Sequence, residues 1–254
     1  MIYDGFIFSN ELDVLEIHLN VLNDYVDKFI LVESNRTFTN KPKDFIFLQN
    51  RNRFKEFLDK IIYIQNYDIT GNVTWENEKC QRDRIMKGFE NADPEDFIII
   101  GDVDEICDPK ILENVNSYND SLHVLETYCY YYFLNYQIYP TELSTARSII
   151  LGKKKFITTP QAVRHERFNL KALKAGWHFS YLGGVDEIVK KLESFSHTEY
   201  DTTYYKDRTR LKNVLDAGTD LFGRNMTFRK VEFQEPYHPK WLIENRNRYS
   251  HLIK

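Results

Sequence analysis

The chain has 254 residues, of which 42% are hydrophobic and 28% charged, so its apolar side chains suffice for a sizeable core. Its formal net charge of −4 argues against a general nucleic-acid-binding surface. The sequence contains no run of about 18 apolar residues and no basic N-terminal segment followed by an apolar one, so we expect no membrane span, no signal peptide and a cytoplasmic location.

Strands and helices alternate in the first half of the sequence. Asn10 is a residue type that caps helices, and Leu12, Leu15, Leu19 and Leu22 after it form one apolar stripe at helical spacing. The predicted strands are residues 3–8, 28–33, 60–65 and 97–100, and the further helices are residues 53–59 and 75–89. This alternation predicts an α/β fold in which a mostly parallel central sheet has helices on both faces.

The fourth predicted strand ends in a cluster of acids. The segment Phe97-Ile98-Ile99-Ile100 is typical of a strand buried on both faces, and Gly101-Asp102-Val103-Asp104-Glu105 follows directly. Open α/β folds bind ligands at the carboxyl edge of the sheet, and a hard divalent cation relieves the repulsion between neighbouring carboxylates. The pattern indicates Asp102 and Asp104 as metal ligands beside a nucleotide diphosphate. The alternative is an acidic turn that is only solvated.

The second half of the sequence is less regular. A long, aromatic, strand-like segment covers residues 122–135, helices are predicted over residues 185–195 and 206–217, and a final helix begins at Trp241. Cys80, Cys107 and Cys129 lack the paired spacing of a disulfide scaffold or a zinc knuckle. No internal repeat or low-complexity linker interrupts the chain, so residues 1–254 are expected to form a single domain.

Several short motifs carry a resemblance to a known family. In chain order they are Phe8-Ser9-Asn10-Glu11-Leu12-Asp13, Trp75-Glu76, Gln81-Arg82-Asp83, Gly101-Asp102-Val103-Asp104-Glu105, Gly176-Trp177-His178-Phe179-Ser180 and Ser194-Phe195-Ser196-His197-Thr198-Glu199-Tyr200. Together, and in this order, they resemble glycosyltransferase family 17 over essentially the whole chain. Without a membrane anchor or stem, the chain looks like a bacterial or viral member of that family.

The resemblance implies a fold, a reaction and a set of partners. The fold would be the GT-A type of nucleotide-diphospho-sugar transferases, with residues 1–110 as the nucleotide-sugar-binding half and residues 111–254 as the acceptor-side half with the C-terminal helices. The reaction would be metal-dependent and inverting. It would move a sugar, N-acetylglucosamine first, from a UDP-sugar donor to a glycan or glycoconjugate acceptor, with Mn²⁺ preferred over Mg²⁺.

The same resemblance assigns residues to the metal and the donor. His178 would be a third metal ligand beside Asp102 and Asp104, although a lone His is as often a satisfied core residue. The residues expected to bind the donor are Asn10, Glu11, Glu33, Arg82, Asp83 and Arg224. An arginine fork pairs well with phosphate. The alternatives are a surface ion pair for Arg82 and a helix-dipole contact for Glu11.

Inversion needs a general base near the acceptor hydroxyl. Asp186 and Glu187, which follow Gly183-Gly184, are the candidates, although acids at the start of a helix are also expected simply as caps. Glu105 is expected either to orient a ligand or to face the acceptor.

Two other function classes fit part of the pattern. One is a nucleotidyltransferase or hydrolase that acts on a nucleotide diphosphate, but the segment Phe6-Ile7-Phe8-Ser9-Asn10 lacks the Gly-rich phosphate loop that such an enzyme needs. The other is a non-catalytic glycan-binding protein, which would be expected to have lost Asp102 or Asp104. Release of UDP with and without manganese distinguishes the three.

Overall fold

The computed structural model describes residues 1–69, 71, 73–139 and 145–254. Its strands are β1 (Ile2–Phe8), β2 (Lys28–Ser34), β3 (Ile61–Asn66), β4 (Phe97–Asp102), β5 (Glu105–Cys107), β6 (His123–Tyr131), β7 (Tyr136–Tyr139), β8 (Thr145–Lys153), β9 (Lys171–Ser180) and β10 (Thr227–Lys230). Its α-helices are α1 (Leu12–Leu22), α2 (Ile46–Gln49), α3 (Thr74–Asp83), α4 (Met86–Phe89), α5 (Pro109–Glu113), α6 (Pro160–His165), α7 (Gly184–Ser194), α8 (Arg208–Ala217) and α9 (Lys240–Asn245).

The strands form one mixed sheet in the order β10-β7-β6-β8-β4-β1-β2-β3. The four strands of the first half, β4-β1-β2-β3, are all parallel, as the alternation predicted. From β8 onward the sheet is largely antiparallel: β8 pairs antiparallel with both β4 and β6, and β7 with β6. Strand β9 runs parallel to β6 and pairs antiparallel with the short β5. The predicted α/β class is therefore confirmed. The parallel part of the sheet comes from the first half of the chain.

Helices cover both faces of the parallel part, as predicted. Because side chains alternate across a strand, Phe6 and Phe8 of β1 pack against Leu15 on α1, whereas Ile7 lies on the opposite face with Phe89 of α4. Strand β4 lies between β1 and β8, and its residues 97–100 are buried. The apolar run therefore delivers its acids to the carboxyl edge of the sheet.

Some predicted elements differ from the observed ones. The helix predicted over residues 75–89 is two helices, α3 and α4, separated by a turn at Arg84 and Ile85. Where a helix was predicted over residues 53–59, the chain forms a 3₁₀ helix over Arg51–Phe57 followed by a turn, and the strand predicted over residues 122–135 ends at Tyr131. Asn10 does not cap α1: the N-cap position is Glu11, no side chain makes a capping hydrogen bond there, and the Asn10 side chain donates to Glu187. Strand β8 and helix α6 were not predicted.

The three cysteine side chains are free thiols, of which Cys107 and Cys129 are buried. Within the described ranges, no helix has the length and apolar character needed to cross a membrane.

Candidate active site

A cavity of about 340 Å³ opens where β1 and β4 end. It is bordered by the loop after β1, by α3, by the acidic segment after β4, by α6, by the end of β9 and by α7. The predicted residues that line it are Asn10, Glu11, Arg82, Asp102, Asp104, Glu105 and His178. The fold thus gathers these residues from distant parts of the sequence into one site.

Two arginines bind the carboxylate of Asp102. Arg82 Nη2 on α3 donates to Oδ1 at 3.0 Å, and Arg164 Nη2 on α6 donates to Oδ2 at 2.9 Å. Burial raises the pKa of the Asp102 carboxyl, but the charges of Arg164 and Arg82 outweigh that effect and bring the pKa below its usual range. Asp102 is therefore an ionised carboxylate whose two oxygens are already engaged by the protein.

Glu105 is held by the same arginine. Arg164 Nη1 and Nη2 lie 2.7 and 2.8 Å from the two oxygens of Glu105, and the backbone N–H of Asp102 donates to the same carboxylate at 2.9 Å. The Glu105 side chain is only 3% exposed. This bidentate pair fixes the acidic segment to α6, so Glu105 has the contacts of a positioning residue.

Asp104 faces a different pair of cations. Lys191 Nζ on α7 lies 3.2 Å from Asp104 Oδ2, and His178 Nε2 on β9 lies 3.5 Å from the same oxygen. Burial raises the pKa of the Asp104 carboxyl, but Lys191 and His178 lower it well below its usual range. Burial lowers the pKa of His178, but Asp104 raises it above its ordinary value.

Pairing of β5 with β9 brings His178 to this position. In the antiparallel register, Glu105 lies opposite His178 and Cys107 lies opposite Gly176. Gly176 has a φ of +133°, and a Cβ there would lie 2.4 Å from the carbonyl oxygen of Ile106. Only glycine permits both this backbone conformation and this close approach of the two strands. Trp177, between Gly176 and His178, is buried, and its Nε1 donates to the Pro236 carbonyl, so it packs in the core.

A buried histidine supports the acidic segment from the opposite side. His18 Nε2 lies 2.6 Å from Asp4 Oδ2, and His18 Nδ1 lies 2.9 Å from the carbonyl oxygen of Val103. Burial lowers the pKa of His18, but the negative charge of Asp4 raises it above the ordinary value. The protonated ring donates to both partners and so ties the residue between Asp102 and Asp104 to α1 and β1.

Aromatic rings form a further group of side chains around the cavity. Phe38, Trp75, Phe195 and His197 contribute to its wall. The Trp75 and His197 rings meet edge to face at 4.6 Å, and Trp75 is 50% exposed. An exposed aromatic face next to buried arginines suits a ligand that has a flat ring at one end and negative charge at the other.

A second cavity of about 490 Å³ adjoins the first. Asn10, Glu11, Asp104, Tyr181 and Lys191 border both, and Asp13, Glu187 and the C-terminal His251 border the second alone. Asn10 Nδ2 donates to Glu187 Oε2 at 2.8 Å. Of the two acids predicted as general bases, the structure therefore brings Glu187 to a cavity next to Asp104.

Four predicted residues lie outside the walls of both cavities. Glu33 is fully buried and accepts from Lys43, Tyr63 and the backbone of Ile46 and Phe47, so it anchors the start of α2. Asp83 accepts from the backbone N–H of Gln161 on α6, Arg224 pairs with Asp220, and Asp186 pairs with Arg208 at the surface. The structure thus gives these four residues structural contacts and does not bring them to the cavities.

Two residues of the site were missed by sequence reasoning. Arg164 lies in a segment without a recognisable motif, and Lys191 follows another lysine on a helix, a pattern typical of a solvated face. No local signal separates either residue from an ordinary surface charge, because their partners lie far away in sequence, in β4, in β5 and in the turn between them. The sequence could have indicated them only through a general rule: buried carboxylates need cationic partners, so some lysines or arginines had to lie beside the acidic segment.

The donor set of the site fits a divalent metal shared with a ligand. In the part of the chain that the structure describes, no three His, Cys, Asp or Glu side chains gather closely enough to hold a metal by themselves. Asp104 and His178 nevertheless converge, whereas both oxygens of Asp102 bind arginines. Mg²⁺-like ions are commonly held by one or two protein groups together with substrate phosphates and water. Asp104 and His178 therefore match a cation that arrives with a diphosphate.

Comparison with known proteins identifies the family of the chain. A family model described as Glycosyltransferase family 17 matches residues 1–254. The class of protein is therefore a glycosyltransferase. The chain belongs to glycosyltransferase family 17, and the resemblance found in its motifs is confirmed.

One curated relative is the human beta-1,4-mannosyl-glycoprotein 4-beta-N-acetylglucosaminyltransferase. The alignment is 286 positions long and shows 22% identity. It covers 96% of this chain and 53% of the human protein. The chain thus spans about half the length of that relative.

Proposed function

We propose that this protein is a metal-dependent, inverting glycosyltransferase of the GT-A type that moves N-acetylglucosamine from UDP-N-acetylglucosamine to a glycan or glycoconjugate. The observation that carries the proposal is the convergence of Asp104 and His178 in a cavity that also contains the guanidinium groups of Arg82 and Arg164. Family membership supports transfer of a sugar, and the name of the human relative supports N-acetylglucosamine as that sugar.

The donor fits the first cavity with its base toward the aromatic wall. The uracil would stack near Trp75, and the diphosphate would lie toward Asp104. Arg82 is 3% exposed, and its Nε has no hydrogen-bond partner among the described residues, so it has a spare donor for an anionic ligand. A bound divalent cation would neutralise the diphosphate as it leaves. Asp104 and His178 are the residues that would hold it.

The acceptor fits the second cavity. Its hydroxyl must meet a base on the face of the sugar opposite the leaving diphosphate. Glu187 borders this cavity and already accepts a hydrogen bond from Asn10, which borders both cavities. We therefore favour Glu187 over Asp186 as the base, since the exposed Asp186 pairs with Arg208 outside both cavities. Glu105 would position the acidic segment through Arg164.

The two alternatives make different products. A nucleotidyltransferase or hydrolase would cleave a nucleotide without needing a sugar acceptor, and a glycan-binding protein would release no nucleotide at all. Neither alternative explains why a cavity with an aromatic wall adjoins a second cavity lined by acids.

The test is release of UDP from UDP-N-acetylglucosamine, with a mixture of oligosaccharide acceptors, in Mn²⁺ and in EDTA. Wild-type protein is expected to release UDP only with metal, and more rapidly with acceptor. Asp104→Asn is expected to fold normally and to lose most of this activity, because the substitution keeps the size of the side chain and removes the charge that would hold the metal. The exposed Asp24→Asn, in the turn after α1, is the matched control. Release at an equal rate in EDTA would rule out the metal, and full activity in Asp104→Asn would rule out the site.

A further inference from the structure

The ammonium of Lys191 lies beside the carboxylate oxygen of Asp104 to which the proposed metal would bind. Its Nζ lies 3.2 Å from Asp104 Oδ2, the same oxygen that faces His178, and 3.4 Å from Ser180 Oγ. The ammonium also lies 4.9 Å from the centre of the Tyr181 ring. Lys191 borders both cavities and is therefore at the junction between the proposed donor and acceptor sites.

The ammonium and a divalent cation compete for one carboxylate oxygen. A divalent cation that Asp104 and His178 would hold needs Asp104 Oδ2, the oxygen that the ammonium already contacts, so two positive charges would share one small volume. Their repulsion forces the ammonium away from Oδ2. The helix itself is fixed, since Ile188 and Leu192 on α7 are fully buried, so the movement falls to the flexible side chain of Lys191.

We propose that Lys191 is an internal counter-ion: it neutralises Asp104 in the absence of donor, and its ammonium moves to the diphosphate when metal and donor bind. This inference rests on the proposed function, because it needs a nucleotide diphosphate in the first cavity. Lys191 would thus weaken metal binding to the empty site and strengthen nucleotide binding to the metal-loaded site.

These two effects have opposite signs, which separates the proposal from a structural role. Lys191→Met keeps the apolar stem of the side chain and removes the charge. In calorimetry with MnCl₂ alone, it is expected to bind Mn²⁺ about fivefold more tightly than wild type, because an ion pair of intermediate exposure no longer competes. In saturating Mn²⁺, it is expected to bind UDP about tenfold more weakly, because one charge-assisted contact to phosphate is lost. Lys212→Met, an exposed lysine on α8, is the matched control and should resemble wild type in both titrations.

Each result has a distinct meaning. Tighter Mn²⁺ binding together with weaker UDP binding supports the proposal. The proposal is overturned if Lys191→Met binds both Mn²⁺ and UDP more weakly than wild type, or if it binds both as wild type does. If wild type binds UDP and Mn²⁺ but Lys191→Met does not tighten Mn²⁺, the counter-ion role fails and the proposed function stands. If wild type does not bind UDP in Mn²⁺, the proposed function fails and the role of Lys191 fails with it.

Discussion

Replacing Arg164 with methionine is expected to destabilise the folded protein by about 3–5 kcal/mol. The guanidinium makes two bonds to Glu105, one to Asp102 and one, at 2.6 Å, to the Ser148 carbonyl. Without it, the 3%-exposed carboxylate of Glu105 retains only the backbone N–H of Asp102 among the partners described above. A buried charge that loses its partner carries a larger penalty than the net worth of the pair, which sets the magnitude.

The measurement is urea unfolding in EDTA, followed by tryptophan fluorescence. Arg167→Met, one helical turn further along the chain, is the control. It should cost less than about 1 kcal/mol, because among the described residues Arg167 donates to the Arg164 carbonyl alone and stacks on Phe168. The double variant Glu105→Gln with Arg164→Met should recover part of the loss, because the orphaned charge is then absent. A loss of less than about 1 kcal/mol for Arg164→Met, or a double variant no more stable than Arg164→Met, would refute this reasoning.

Three other side chains carry expectations that can be measured separately. His178→Ala should raise the Mn²⁺ needed for half-maximal activity with little loss of stability in EDTA; a loss of about 2–4 kcal/mol with an unchanged Mn²⁺ requirement would contradict the ligand assignment. Trp75→Ala should weaken UDP binding about tenfold through lost stacking, and calorimetry showing equal affinity would exclude that contact. Folding raises the pKa of His18, so protonated His18 stabilises the folded state. This contribution is complete below the unfolded pKa of about 6.5 and is lost as the pH rises through the folded pKa. Between about pH 7 and pH 9, the free energy of unfolding in EDTA should therefore fall more for wild type than for His18→Gln. The control is His238→Gln, which should show the wild-type dependence on pH because burial lowers the pKa of His238 to about 4. An equal dependence on pH in all three proteins would contradict the role of His18.

The parallel half of the fold could be predicted because its signals are local. The leucine stripe predicts the helix α1, and the isoleucine run predicts the strand β4. Parallel strands then place their carboxyl ends at one edge of the sheet. That is enough to locate Asp102 and Asp104. The antiparallel half gives weaker signals, because β9 changes from exposed and half-buried residues to mostly buried ones without the regular alternation that marks a strand.

Two cations of the site, unlike Arg82, could not be predicted, for a related reason. Arg164 and Lys191 belong to helices whose sequences resemble ordinary solvated surface, and only the tertiary fold places them against Asp102, Glu105 and Asp104. Glu33 illustrates the opposite case. Its position at the end of β2 was predicted correctly, yet the chain after it folds back and buries the carboxylate among backbone N–H donors.

The pairing of β5 with β9 has a consequence for how this fold can vary. The distance between Asp104 and His178 is fixed by a two-strand register next to Gly176, not by the length of chain that separates them. Turns between β5 and β9 can therefore lengthen or shorten while this pair of residues stays in place. A single inserted residue between Gly176 and His178 has the opposite effect, because it turns the imidazole to the other face of the strand and leaves Asp104 without it.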